Sequence, residues 1–173
     1  LRDLFLLANK WWHFVPVETI KLSKLSLWIV LGISTITLIG GYINYQVKRK
    51  VELTLKTDKP IPSGKLKIVA ASDLHLGYTI NENELKRWVK LINAEKPDIV
   101  LIAGDIIDNS LRPLDDKDFD KYLREIDAQL GVYTCLGNHE YISKVVPSEH
   151  FLERSDIRFL KDSAVLIDEH FYV

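Results

Sequence analysis

The sequence predicts an α/β protein, a parallel sheet flanked by helices, preceded by a transmembrane helix. Three observations carry this. Residues 25–47 form a run of 23 positions without a charge. Beyond residue 65, short β-branched runs alternate with amphipathic stretches, the order that builds a parallel sheet with helices on its faces. Three of those runs end in acidic, histidine or asparagine residues beside each other, where open α/β sheets bind ligands.

The uncharged run reads LSLWIVLGISTITLIGGYINYQV. As a helix it would extend roughly 34 Å, more than a ~30 Å hydrocarbon core. Trp28 near one end and Tyr42 and Tyr45 near the other suit the two interfaces, and Gly32, Gly40 and Gly41 are tolerated in membrane helices. Lys21 and Lys24 flank one side; Lys48, Arg49 and Lys50 flank the other. The competing reading is a buried helix of a soluble domain. Residues 1–24, with Trp11 and Trp12, read as a membrane-proximal, interfacial segment: the end of an earlier membrane helix or an amphipathic surface helix. Within about 15 residues of the span, three lysines precede it and five basic residues follow it, so the positive-inside rule places the remainder in the cytoplasm.

Residues 48–64 form the linker. VELTL at 51–55 alternates like a strand, and Pro60, Pro62 and Gly64 mark a turn-rich connection. The main domain covers 65–173. LKIVAASD reads as the first buried strand. Asn81 or Asn83 caps a helix with Leu85, Trp88, Val89 and Ile92 on one face, ended by Pro97. DIVLIAGD is the second strand. Residues 115–130 form one amphipathic segment with Phe119, Tyr122, Leu123 and Ile126 on a face. GVYTCLGN is the third strand, and residues 163–173 a further one.

Composition narrows the class. With 47% hydrophobic and 27% charged residues the chain is not a disordered tail. One cysteine, Cys135, excludes an internal disulfide. The net charge of −1 conceals an asymmetry: residues 1–50 carry seven Lys/Arg against two acids, so the rest stands at −6. An acidic main domain gives no reason to expect nucleic acid as a partner. The chain opens on Leu1, lacks methionine and closes at Val173 inside an apolar run, so it is read as a fragment cut at both ends.

The candidate site lies at the strand ends. The first run ends in Asp73-Leu74-His75, the second in Gly104-Asp105, the third in Gly137-Asn138-His139-Glu140. Asp73 and Asp105 are 32 positions apart, Asp105 and Asn138 33, so each strand–helix unit delivers its polar group to one edge. In an extended chain Asp73 and His75 point to the same side and could share one ion. Asp105, with two oxygens, could bridge two. A mixed O/N donor set without thiolates suits Mn²⁺, Fe²⁺ or Zn²⁺. Any one of these short motifs is usually a turn; it is their order on successive strands that points to a site.

SDLHLG, AGDIID and LGNHEY together resemble the metallophosphoesterase (calcineurin-like phosphoesterase) superfamily, whose signature runs D-x-H, G-D-x-x-D, G-N-H-[DE]. With the apolar segment ahead of them they are similar to its membrane-anchored bacterial branch. The resemblance implies a four-layer α/β/β/α sandwich, of which this chain holds the first half. It implies a phosphoester hydrolase, phosphatase or phosphodiesterase, with two divalent ions (Mn, Zn or Fe) and a metal-bound hydroxide as nucleophile. Asp73 and His75 would bind one ion, Asp105 both, Asn138 the second. His139 would sit beside the phosphate as proton donor or charge stabiliser. The substrate would be a phosphorylated small molecule or lipid. The family's later G-H-x-H segment has no counterpart here. His150 reads as a helix-surface residue and His170 as a strand residue, so the remaining ligands are expected beyond Val173 and the chain alone is expected to be inactive. Two other readings share the motifs: a module binding a phosphorylated ligand or lipid headgroup without hydrolysis, and a nuclease-type phosphodiesterase.

Overall fold

The computed structural model describes residues 2–13, 24–61 and 64–173. Pro62, Lys21 and the stretch 14–23 of the interfacial segment lie outside the described residues. The chain divides into two compact units, Leu1–Lys56 and Thr57–Val173.

The first unit holds two helices, α1 (Arg2–Trp12) and α2 (Lys24–Gln46). Within α2, the 21 residues Ser26–Gln46 are long and apolar enough to cross a membrane. Their large side chains, Trp28, Ile36, Leu38 and Tyr42 among them, are exposed in the folded chain. The hydroxyl of Thr37 donates to the carbonyl of Ile33 (2.9 Å), which satisfies a polar group inside an apolar run. The Lys48 ammonium lies 3.8 Å from the centre of the Tyr45 ring, the pairing of aromatic and cation that suits a membrane interface. Residues 51–55 are not a strand. Val51, Leu53 and Leu55 are all exposed, and the segment has no regular structure: alternation makes a strand only where a neighbouring strand takes up the backbone groups and a surface covers one face.

The second unit is a mixed α/β domain. Its elements are β1 (Ile68–Ala71), α3 (Glu82–Ala94), β2 (Ile99–Ile102), α4 (Arg112–Asp116), α5 (Phe119–Leu123), β3 (Val132–Thr134), α6 (Asn138–Ile142), α7 (Val145–Arg154), β4 (Ile157–Phe159), β5 (Leu166–Ile167) and β6 (Phe171–Tyr172). Four strands form one parallel sheet in sequence order, β1-β2-β3-β4. The Asn81 side chain caps α3 by accepting from the Glu84 amide (3.0 Å).

Alternate residues of the central strands face two different layers. Val100, Ile102, Val132 and Ile157 pack with Leu85 and Val89 of α3, Phe119 and Leu123 of α5, and Phe151 and Leu152 of α7. Ile99 and Tyr133 pack with Ile167 of β5. Helices therefore cover one face and an antiparallel β5–β6 pair covers the other: α, β and β layers in succession. Phe151 is fully buried in the helical layer, so Phe151→Ala is expected to cost about 3–5 kcal/mol. His150→Ala, one residue away on the exposed side of α7, should stay within about 0.5 kcal/mol; urea titration of both variants distinguishes them.

Three details differ from the sequence expectations. Residues 115–130 hold no continuous helix, because Asp118 adopts a left-handed backbone (φ 51°) that separates α4 from α5. Residues 163–173 form a hairpin whose strands are joined by a turn of three residues, 168–170, of which Asp168 and Glu169 have positive φ (48° and 58°). His170 therefore lies in that turn, its amide bonded to the Ile167 carbonyl (3.0 Å), and is no strand residue. His150, by contrast, lies as expected on a helix surface, exposed on α7 and 3.6 Å from Glu153.

Candidate metal centre

The carboxyl ends of β1, β2 and β3 converge through backbone that is no longer extended. β1 ends at Ala71, and Asp73 and His75 follow with φ of 55° and 44°. After β2, Gly104 and Asp105 have φ of 73° and 51°. Non-glycine residues in this region carry steric cost; here all three lie among the candidate ligands. The β1 and β2 ends stay paired while they turn: the His75 amide donates to the Asp105 carbonyl (3.0 Å) and Leu76 to Ile106 (2.7 Å).

Asp73 and His75 do meet, His75 Nε2 lying 3.7 Å from Asp73 Oδ1. They do so by left-handed turns rather than by the same-side geometry of an extended strand. One donor atom each from Asp73, His75 and Asp105 lies within 4.8 Å of the others. Ligands at about 2.0–2.2 Å from a common ion fit such a spacing. His75 turns Nε2 toward Asp73, while its buried Nδ1, which has no hydrogen-bond partner among the described residues, lies 4.0 Å from Asp108 Oδ1. These residues fit a divalent ion.

His139 stands beside that group. Its Nδ1 lies 2.9 Å from the Asp108 carbonyl oxygen and 3.3 Å from Asp108 Oδ1. The carbonyl can only accept, so Nδ1 is the donor in this contact and Nε2 takes no part in it. The His75 ring packs edge-on against the His139 ring, centres 4.4 Å apart. The His139 amide donates to Asp105 Oδ1 (2.9 Å). Asn138, the first residue of α6, is exposed.

Two residues of the same motifs to which the sequence reading gave no role belong to this arrangement. Asp108 orients His139 and makes a second convergent group with His75 and His139; its signal was the second aspartate of G-D-x-x-D. Glu140 is buried, and its carboxylate accepts the amides of Asp105, Ile106, Ile107 and Gly137 at 2.8–3.0 Å. No periodicity marks it; its signal was the last position of G-N-H-[DE]. Gly104 and Gly137 let the two loops touch: a Cβ on Gly104 would fall 2.5 Å from the Gly137 nitrogen, and one on Gly137 would collide with the Asp105 carboxylate.

Carboxylates and imidazoles gathered at the carboxyl edge of a parallel sheet define a metal-dependent class of α/β fold. The chain belongs to the calcineurin-like phosphoesterase family, whose model matches residues 66–171. It is 34% identical over 134 residues to an uncharacterised metallophosphoesterase of Aquifex aeolicus, covering 76% of this chain and 50% of the relative. It is 33% identical over 140 residues to one of Campylobacter jejuni, covering 75% and 37%. A transmembrane protein with metallophosphoesterase domain from Danio rerio is 31% identical over 115 residues, covering 65% and 26%. The chain thus spans half or less of the length of these relatives.

Proposed function

We propose that the chain is the first metal-binding half of a membrane-anchored phosphoester hydrolase with a dinuclear centre, its domain on the cytoplasmic side. The observation that carries this is the convergence of Asp73, His75 and Asp105 donor atoms within 4.8 Å at the ends of adjacent parallel strands. Asp73, His75 and Asp105 would hold one ion, and Asp105 with Asn138 would contribute to a second; Mn, Zn and Fe fit this donor set. Two divalent ions, when bound, supply neutralisation of the phosphate oxygens and a water of lowered pKa. Asp105 keeps its carboxylate in place through the His139 amide. His139, with Nδ1–H held by the Asp108 carbonyl, would act as the imidazolium, its Nε2–H passing to the leaving oxygen and the neutral ring remaining. Anchoring by α2 favours a phosphorylated lipid or small molecule at the bilayer surface as substrate; the excess of basic residues after the span supports the cytoplasmic side.

The test is hydrolysis of bis(p-nitrophenyl) phosphate by the full-length protein with and without added Mn²⁺ or Zn²⁺. Metal-dependent turnover is expected, and Asp105→Ala should lower kcat by at least about a hundredfold. Turnover that survives Asp105→Ala or Asn138→Ala refutes the assignment. Metal-dependent binding of a phosphorylated ligand with no turnover would instead identify a binding module.

A further inference from the structure

Glu140 is 1% exposed, and no cation pairs with it among the described residues. A buried carboxylate of this kind is tolerable only where donors replace its water. Here the donors are four backbone amides from two separate loops. Oε1 accepts from Ile106 (2.8 Å) and Ile107 (3.0 Å), in the loop after β2. Oε2 accepts from Asp105 (3.0 Å) in that loop and from Gly137 (2.8 Å) in the loop after β3. One carboxylate therefore fixes the spacing between the loop that carries Asp105 and the loop that carries Asn138 and His139.

We propose that Glu140 is a positioning residue for the metal centre: its carboxylate clamps the two ligand-bearing loops, and the clamp sets metal affinity. This rests on the metal reading given above. Asp105 is the point where the clamp acts. Its amide is held by Glu140, its carboxylate by the His139 amide (2.9 Å), and its backbone is left-handed (φ 51°). A glutamine at 140 keeps the shape but offers one acceptor oxygen. Its amino group would face N–H groups, leaving two of the four donors without an acceptor. The loops would then relax apart, and a metal ligand is sensitive to such support: loss of an outer partner typically weakens metal binding 10- to 100-fold.

The experiment uses the full chain in detergent, with Mn²⁺ as the probe and free Mn²⁺ read by electron paramagnetic resonance. Glu140→Gln should raise the Mn²⁺ dissociation constant by about 10- to 100-fold. The comparison is Ser155→Ala, which deletes a buried hydroxyl bonded to the Phe151 carbonyl (2.8 Å) at the end of α7; there the constant should change less than about threefold. Equal Mn²⁺ affinity in folded Glu140→Gln and the unaltered chain overturns the positioning role while leaving the metal reading intact. Absence of Mn²⁺ binding by the unaltered chain overturns both. Should Glu140→Gln not fold, linkage supplies a second measurement on the unaltered chain. If the clamp and the metal support one another, saturating Mn²⁺ must slow hydrogen exchange at the Ile106, Ile107 and Gly137 amides, by about tenfold or more. Unchanged exchange at those three amides, with Mn²⁺ bound, refutes the coupling.

Discussion

In the full-length protein, His139→Ala is expected to lower kcat for an alkyl phosphoester by about 10²- to 10⁴-fold, the range over which a positioned general acid acts. The size of the loss should depend on the leaving group. Nδ1 of His139 is committed to the Asp108 carbonyl at 2.9 Å, so only Nε2 can hand a proton to a departing oxygen. An alkoxide needs that proton, because it leaves as a strong base. A p-nitrophenolate leaves without it. The same substitution should therefore cost a p-nitrophenyl ester far less than an alkyl ester. A series of esters of graded leaving-group pKa reads this directly: the dependence of log kcat on that pKa should be shallow in the unaltered protein and steep in His139→Ala. An equal loss across the series would mean that the imidazole stabilises charge on the phosphate and donates no proton. Asp108→Asn should give a smaller loss with the same leaving-group trend, since the Asp108 backbone carbonyl still holds Nδ1 and only the Oδ1 contact at 3.3 Å changes.

What was legible in the sequence, and what was not, follows from the length scale of each signal. The buried run IVLI of β2 between Pro97-Asp98 and Gly104-Asp105 announces a central strand. Asn81 and the spacing of Leu85 and Val89 announce α3. These are strong because several residues repeat one instruction. β4 is three residues long, Ile157–Phe159, and too short to show any period. The β5–β6 turn is built on Asp168 and Glu169 at positive φ, without the Asn-Gly or Asp-Gly that usually signals it. The break at Asp118 is likewise one residue's backbone choice. At the site, motif and strand order singled out Asp73, His75, Asp105, Asn138 and His139, because polar residues on strand ends stand out against apolar runs. Glu140 was visible as the acidic position of G-N-H-[DE], but its role was not: as an acceptor for four amides it is set by backbone groups of residues 33 to 35 positions away and of Gly137, and backbone donors leave no trace in the sequence.

Gly104→Ala should destabilise the second unit by about 3 kcal/mol or more, and Gly64→Ala by about 1 kcal/mol, although the two glycines have nearly the same positive φ. Their φ angles are 73° and 72°, so the steric cost of putting a Cβ in the left-handed region, about 1 kcal/mol, is common to both. Their surroundings differ. A Cβ at Gly64 meets nothing within 4 Å, whereas at Gly104 it falls 2.5 Å from the Gly137 nitrogen and 2.8 Å from its Cα. Those are backbone atoms, which cannot swing aside as a side chain does. The loops after β2 and β3 would have to separate, adding an overpacking cost of about 1–3 kcal/mol. Separation also stretches the Glu140 bonds that span them, so the loss should exceed simple overpacking. Urea unfolding of the two variants exposes the contact term in their difference, since the cost of a positive φ is common to both. Equal losses would show that the loops are free to part, and would remove close approach of Gly104 and Gly137 as the reason the Asp105 and His139 loops stay in register.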